Sequence, residues 1–112
     1  MTFAEYQKEA MRTLANPGLP DGPTKLAVMA LGLTGEAGEV ADLIKKHVGH
    51  GHPLTKTELE RELGDVLWYL AAIATMNGIG LSDVAAVNIY KLRRRYPSGF
   101  SSAASLARVD EP

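Results

Sequence analysis

The sequence predicts an all-α protein, and three observations carry that reading. Apolar residues recur at helical spacing in four segments. Clusters of Pro and Gly separate these segments. No stretch shows the strict alternation of a half-buried strand. At 112 residues the chain fits a single domain spanning 1–112. Hydrophobic residues make up 46% and charged residues 22%, a globular composition rather than a disordered one.

The first helix is expected over about residues 2–14. Thr2 can cap it and Glu5, three residues on, completes a capping box. Phe3, Tyr6, Ala10 and Leu14 share one face. "NPGLPDGP", residues 16–23, then breaks the chain. The second helix starts at Pro23 or Thr24 and runs to about His47, with Met29, Leu33, Val40, Leu43 and Ile44 as its apolar stripe. Gly32, Gly35 and Gly38 cost helix propensity but admit another backbone closely, which suggests a crowded helix contact. "GHGHPLT" is a loop. The third helix, about 57–76, is capped by Thr55 or Thr57, and Leu59, Leu63, Val66, Leu70 and Ile73 form its inner face. "NGIG" ends it. Ser82 is the expected cap of the fourth helix, about 82–96, which Pro97 stops. Residues 97–112 read as a mostly irregular tail. A chain this short builds only a small core, so help from an oligomer is expected.

Charge and cysteine count exclude several functions. The formal net charge is -1, from 12 basic and 13 acidic residues, so no global field draws nucleic acid or an anionic membrane. With no cysteine there are no disulfides, thiolate zinc sites, iron–sulfur clusters or cysteine nucleophiles. The N-terminal segment shows no apolar run of the signal-peptide kind, and the longest apolar run, Val66 to Met76, is too short to span a bilayer. A cytoplasmic location is the expectation.

Against this background two acidic pairs stand out. "GEAGEV" places Glu36 and Glu39 three residues apart, and "ELGDVLWYL" does the same with Glu62 and Asp65. Residues three apart share a helix face. If the second and third helices lie antiparallel, the two pairs can face each other. Carboxylates gathered beside apolar stripes repel one another and resist desolvation. A divalent cation relieves both costs. Ligands that are all oxygen suit a hard ion, Mg²⁺ or alternatively Mn²⁺. A di-iron bundle would instead want Glu-x-x-His pairs, and neither pair contains His. A single Glu-x-x-Glu is common on solvated helix surfaces; the second pair on the next helix is what raises its meaning.

The fourth helix supplies the opposite charge. In "NIYKLRRRYPSGF", Asn88, Lys91 and Arg95 stand at i, i+3 and i+7 on one face. An amide, an ammonium and a guanidinium together suit a polyphosphate. The plainer reading is that these cations complement the helix dipole.

Taken together, "GEAGE…ELGDVLWYL" and "NIYKLRRRYPSGF" resemble the Glu-x-x-Glu, spacer, Glu-x-x-Asp and Asn-x-x-Lys-x-x-x-Arg segments of the MazG-like nucleoside triphosphate pyrophosphohydrolases, in the all-α superfamily that includes the dimeric dUTPases. Here 22 residues separate Glu39 from Glu62, and the resemblance covers about Leu31 to Phe100. It implies a four-helix bundle-like fold of the MazG type, working as a dimer or tetramer. It also implies Mg²⁺-dependent hydrolysis of a (deoxy)nucleoside triphosphate to the monophosphate and pyrophosphate, by attack of a metal-activated water on the α-phosphorus. By motif position, Glu36, Glu39, Glu62 and Asp65 are then the metal ligands, with Glu39 orienting or deprotonating the water. Asn88, Lys91 and Arg95 touch phosphates or sugar.

Trp68 can wall the pocket and stack on a base, and Tyr96 stands beside the basic face, although an aromatic at helical spacing is more often core. Tyr69 falls four residues beyond Asp65, near the metal face. His47, His50 and His52 suit either a transition metal or a polar loop. Lys45 and Lys46 favour the dipole of the second helix, with a phosphate as a further reach. Nucleotide-pool house-cleaning is the role the resemblance suggests. The alternative is a non-catalytic helical oligomer that binds nucleotide or a protein partner.

Overall fold

The structure, a computed structural model, describes residues 1–110. Five α-helices follow in order: α1 Phe3–Ala10, α2 Pro23–His50, α3 Lys56–Met76, α4 Leu81–Arg95 and α5 Ser102–Ala107, with a 3₁₀ turn at Met11–Thr13. No strand forms among the described residues, which bears out the all-α expectation. No single helix among them is long and apolar enough to cross a membrane.

Helix boundaries follow local chemistry. Thr2 and Glu5 form the expected capping box on α1. The α-helix stops at Ala10, short of the expected Leu14, and tightens into the 3₁₀ turn. α2 opens on Pro23, whose fixed φ suits the first helical position. It continues through Gly49 to His50, beyond the expected end at His47. Its terminator is Gly51, in the left-handed region at φ 70°, where a side chain would be strained. Thr55, rather than Thr57, caps α3, with Glu58 completing the box.

The expected cap at Ser82 is not used. Gly80 is the N-cap of α4 and carries no side chain to do the work. Instead Gln7, reaching across from α1, accepts from the Leu81 amide at 2.7 Å. The Gln7 amide also donates to Thr75 Oγ1 at 2.9 Å and to the Ile79 carbonyl at 3.0 Å. One side chain thus ties α1 to the α3–α4 corner, through contacts about seventy residues away that no local pattern announces. The tail also departs from expectation. Ser101 Oγ accepts from the Ala104 amide at 3.0 Å and caps α5, within a segment read as irregular.

α2 and α3 form the long antiparallel pair, joined by the short loop Gly51–Thr55, and they share the most extensive helix contact. One glycine sets their approach. A Cβ on Gly32 would lie 2.2 Å from the Tyr69 ring, so only glycine admits that ring. Gly35 and Gly38, in contrast, meet nothing within 4 Å. The crowding expected at three glycines is present at one.

The chain then turns. α4 leaves α3 at a bend of 101° and packs on α1, α3 and α5 without reaching α2. The core between these helices is narrow. Met29, Ala71, Ala72, Ala74 and Leu81 are its buried apolar residues. Lys25 is buried as well, with its ammonium 3.0 Å from the Asp21 carboxylate. The radius of gyration is 17.2 Å, where a compact chain of this length has about 13 Å. Large apolar side chains stay exposed along α2 and α4: Leu31 at 72%, Val48 at 79% and Val87 at 67%.

Candidate functional site

The antiparallel register decides what the acidic residues can do. With Gly32 opposite Tyr69, one turn further along α2 brings Glu36 opposite Glu62 and Asp65. A carboxylate oxygen from each of Glu36, Glu62 and Asp65 lies within 4.8 Å of the others. That is three of the four residues read from the sequence, drawn from both acidic pairs. Glu39 lies one turn on, exposed and outside this group.

The electrostatics match the geometry. The Glu36 carboxyl is pushed above the ordinary carboxylate range, first by partial burial and then by the charges of Asp65, Glu62 and Glu39. Glu39 thus acts on the cluster through its charge. Tyr6, on α1, is also raised, by burial and by the nearby Asp65 charge. That places the first helix beside the acidic cluster, a neighbour the sequence did not reveal. Carboxylate oxygens this close together repel one another, and a hard divalent ion would neutralise them. The donor set fits Mg²⁺ or Mn²⁺.

A recess of about 280 Å³ opens beside the cluster, lined by Glu58, Arg61, Glu62 and Asp65. Arg61 is a candidate that sequence reasoning passed over. Its spacing was the available signal: it stands three residues after Glu58 and four before Asp65, on one helix face. A larger recess of about 460 Å³, lined by Leu14, Leu26 and Met76 among others, lies at the far end of the helix pair and contains no acidic cluster.

Trp68 directs its indole N–H to the Ala10 carbonyl at 3.2 Å and to Thr13 Oγ1 at 2.9 Å, and its ring stands edge-on to Tyr69. It anchors the 3₁₀ turn to α3. Tyr69 packs against Gly32, as above. Tyr96 lies against Phe100, with the Arg95 guanidinium 6.0 Å from its ring. Asn88 and Lys91 are exposed on α4. Arg95 forms a forked ion pair with Asp110, at 2.5 and 2.8 Å. Lys45 and Lys46 both pair with Asp42, at 3.1 and 2.7 Å. His47 Nδ1 donates to the His52 carbonyl at 2.7 Å, and His50 and His52 meet edge to face. None of the three histidines joins the carboxylate cluster.

The basic face does not meet the acidic cluster within one chain. At about 1.5 Å per residue, Asp65 stands about 17 Å along α3 from the α3–α4 corner and Arg95 about 20 Å along α4. The near-perpendicular bend keeps those two arms apart.

Comparison with known proteins gives the family. Residues 24–100 match the model of the MazG nucleotide pyrophosphohydrolase domain. The chain belongs to the MazG family. The matched segment takes in both acidic pairs and the basic helix. Over 100 residues the chain is 36% identical to the Gene 37 protein of Mycobacterium phage L5, covering 84% of this chain and 88% of that protein. Over 90 residues it is 32% identical to the bovine (Bos taurus) dCTP pyrophosphatase 1, covering 75% of this chain. It spans about half, 53%, of the bovine protein. No solved structure matches. The MazG assignment and the all-helical fold bear out the resemblance read from the motifs, and they support nucleotide pyrophosphohydrolase activity as the general class.

Proposed function

We propose that this MazG domain hydrolyses (deoxy)nucleoside triphosphates to the monophosphate and pyrophosphate with Mg²⁺, in nucleotide-pool house-cleaning. The observation that carries the reading is the three-carboxylate group Glu36, Glu62 and Asp65, drawn together across two helices. These residues would hold the divalent ion, with Glu39 next to them. When bound, the ion supplies Lewis-acid polarisation of phosphate oxygens and a water of lowered pKa.

The chain's own groups do the rest. Glu39, exposed one turn from Glu36, would orient the attacking water or accept its proton. Lys91 and Arg95, with Asn88, would bind the phosphates and stabilise charge on the departing pyrophosphate. Trp68 and Tyr96 remain candidates for the base and sugar, although both already make contacts within the chain. The name of the bovine relative makes a cytosine nucleotide a reasonable first substrate.

The site calls for a second copy of the chain. One chain holds its acidic cluster and its basic face on separate arms, and its α2 and α4 surfaces expose Leu31, Val48, Val87 and Tyr90. Gly35 and Gly38 offer open helix surface beside the cluster. Packing one copy's α4 on another's α2–α3 pair would bury these side chains and bring cations to carboxylates. We read the whole of residues 1–112 as one such domain, working as a dimer or tetramer in the cytoplasm.

The deciding experiment is a panel of canonical and modified dNTPs, dUTP and dCTP included, incubated with the purified protein and Mg²⁺. Pyrophosphate release is expected from at least one. Release from none, by folded protein with metal present, would leave the non-catalytic nucleotide-binding oligomer as the better account.

A further inference from the structure

Within the described residues, the tail makes a contact that the proposed reaction does not use. After α5, Arg108 adopts φ 51°, a left-handed conformation uncommon for a residue with a side chain, and its amide closes on the Ala104 carbonyl at 3.2 Å. This turn sends the chain back along α4. The Val109 carbonyl comes within 3.5 Å of the Arg94 guanidinium. Asp110 then grips Arg95 through Nε and a terminal nitrogen, at 2.5 and 2.8 Å. The Asp110 side chain is only 2% exposed and that of Arg95 only 11%. A forked pair of this kind is the geometry in which a guanidinium also receives a phosphate.

We propose that the tail is an internal competitor for polyphosphate, with the Asp110 carboxylate seated on Arg95 where a phosphate oxygen of the substrate would otherwise sit. The inference rests on reading Lys91 and Arg95 as phosphate contacts. Lys91 points the same way, since its charge, secondary to that of Arg95, helps hold the Asp110 carboxyl below its ordinary range. Substrate binding then requires the tail to leave α4. The exchange replaces one charge-assisted forked contact with another of the same kind, so opening needs little net free energy once phosphate is present. The opposing account is that Asp110 merely orients Arg95, and it predicts the reverse effect of removing the carboxylate.

Calorimetric titration with inorganic tripolyphosphate separates the two. A latch closed nine-tenths of the time weakens apparent affinity about tenfold. Asp110→Asn and Asp110→Ala should therefore bind tripolyphosphate about tenfold tighter than the unaltered chain, with circular dichroism unchanged. Hydrogen exchange in residues 101–110 should also rise when tripolyphosphate binds the unaltered protein. Equal or weaker binding by both folded variants overturns the latch. Because the titration needs no turnover, a chain that releases no pyrophosphate from any nucleotide would refute the catalytic reading alone, and the affinities would still decide the latch.

Discussion

The two charged regions of this molecule are built in opposite ways. The acidic cluster is assembled by the chain itself, from helices that share one register and one close contact. The basic face stands on an arm turned away from it, with its principal guanidinium already held by a carboxylate. Carboxylates brought together raise their own free energy, whereas Arg95 and Asp110 satisfy each other. The first region is poised to take up a ligand of opposite charge. The second must give up a partner before it can do so.

The contrast is broken most strongly by mutation of the cluster. Glu62→Gln turns one of the three clustered carboxylates into a neutral amide and is expected to lower pyrophosphate release by about a thousandfold. Arg95→Ala should cost about 10- to 100-fold in kcat/KM, the scale of a charged hydrogen bond. Mixing the two purified variants under exchange conditions should restore activity to a sizeable fraction, because one mixed site then has intact acids and an intact guanidinium. Failure of the mixture to recover activity would mean that both halves of the site come from one chain.

Metal addition gives the next effect. Glu36 is raised in the folded state, so the folded chain holds that proton more tightly than the unfolded one. Its contribution therefore destabilises the metal-free protein as pH rises through the interval between the ordinary and the raised value, and disappears below it. Mg²⁺ is expected to raise Tm by several degrees at pH 7.5, and by progressively less as the pH is lowered into that interval, where protons compete for the same oxygens. A scanning fluorimetry series in pH and Mg²⁺ checks both trends. A pH-independent shift would remove Glu36 from the ion's ligands.

Smaller effects separate the glycines and the caps. Gly32→Ala forces a methyl into the Tyr69 ring and should destabilise by about 1–3 kcal/mol in a denaturant titration. Gly35→Ala should leave the isolated chain as stable or slightly more so, and light scattering would show weakened association if a second copy approaches there. Gln7→Ala should cost about 1 kcal/mol through loss of the bridge to Leu81, and Ser82→Ala less than about 0.5 kcal/mol.

Much of this was legible in sequence, for identifiable reasons. Thr2 with Glu5, and Thr55 with Glu58, are local patterns whose chemistry is complete within four residues, and both caps formed. The acidic pairs were visible because helical spacing needs no knowledge of the fold. What stayed hidden was long-range. Gln7 serves Leu81 from another helix, so the more conventional Ser82 was a false signal. Arg61 was overshadowed by the more patterned basic run on α4. Nothing in "SSAASLARVD" disclosed that Asp110 would find Arg95, since a short capped helix and one left-handed residue had to form first.

Gly32 and Tyr69 interlock like a key in a keyway, one turn from the acidic residues. Sliding α2 past α3 by a single turn would displace Glu36 from Glu62 and Asp65 by about 5.4 Å, more than a shared ion tolerates. The spacing of the clustered carboxylates is therefore set by two residues that bear no charge. A larger side chain at position 32 would act as a misaligned gauge, leaving every carboxylate present and the site mis-sized.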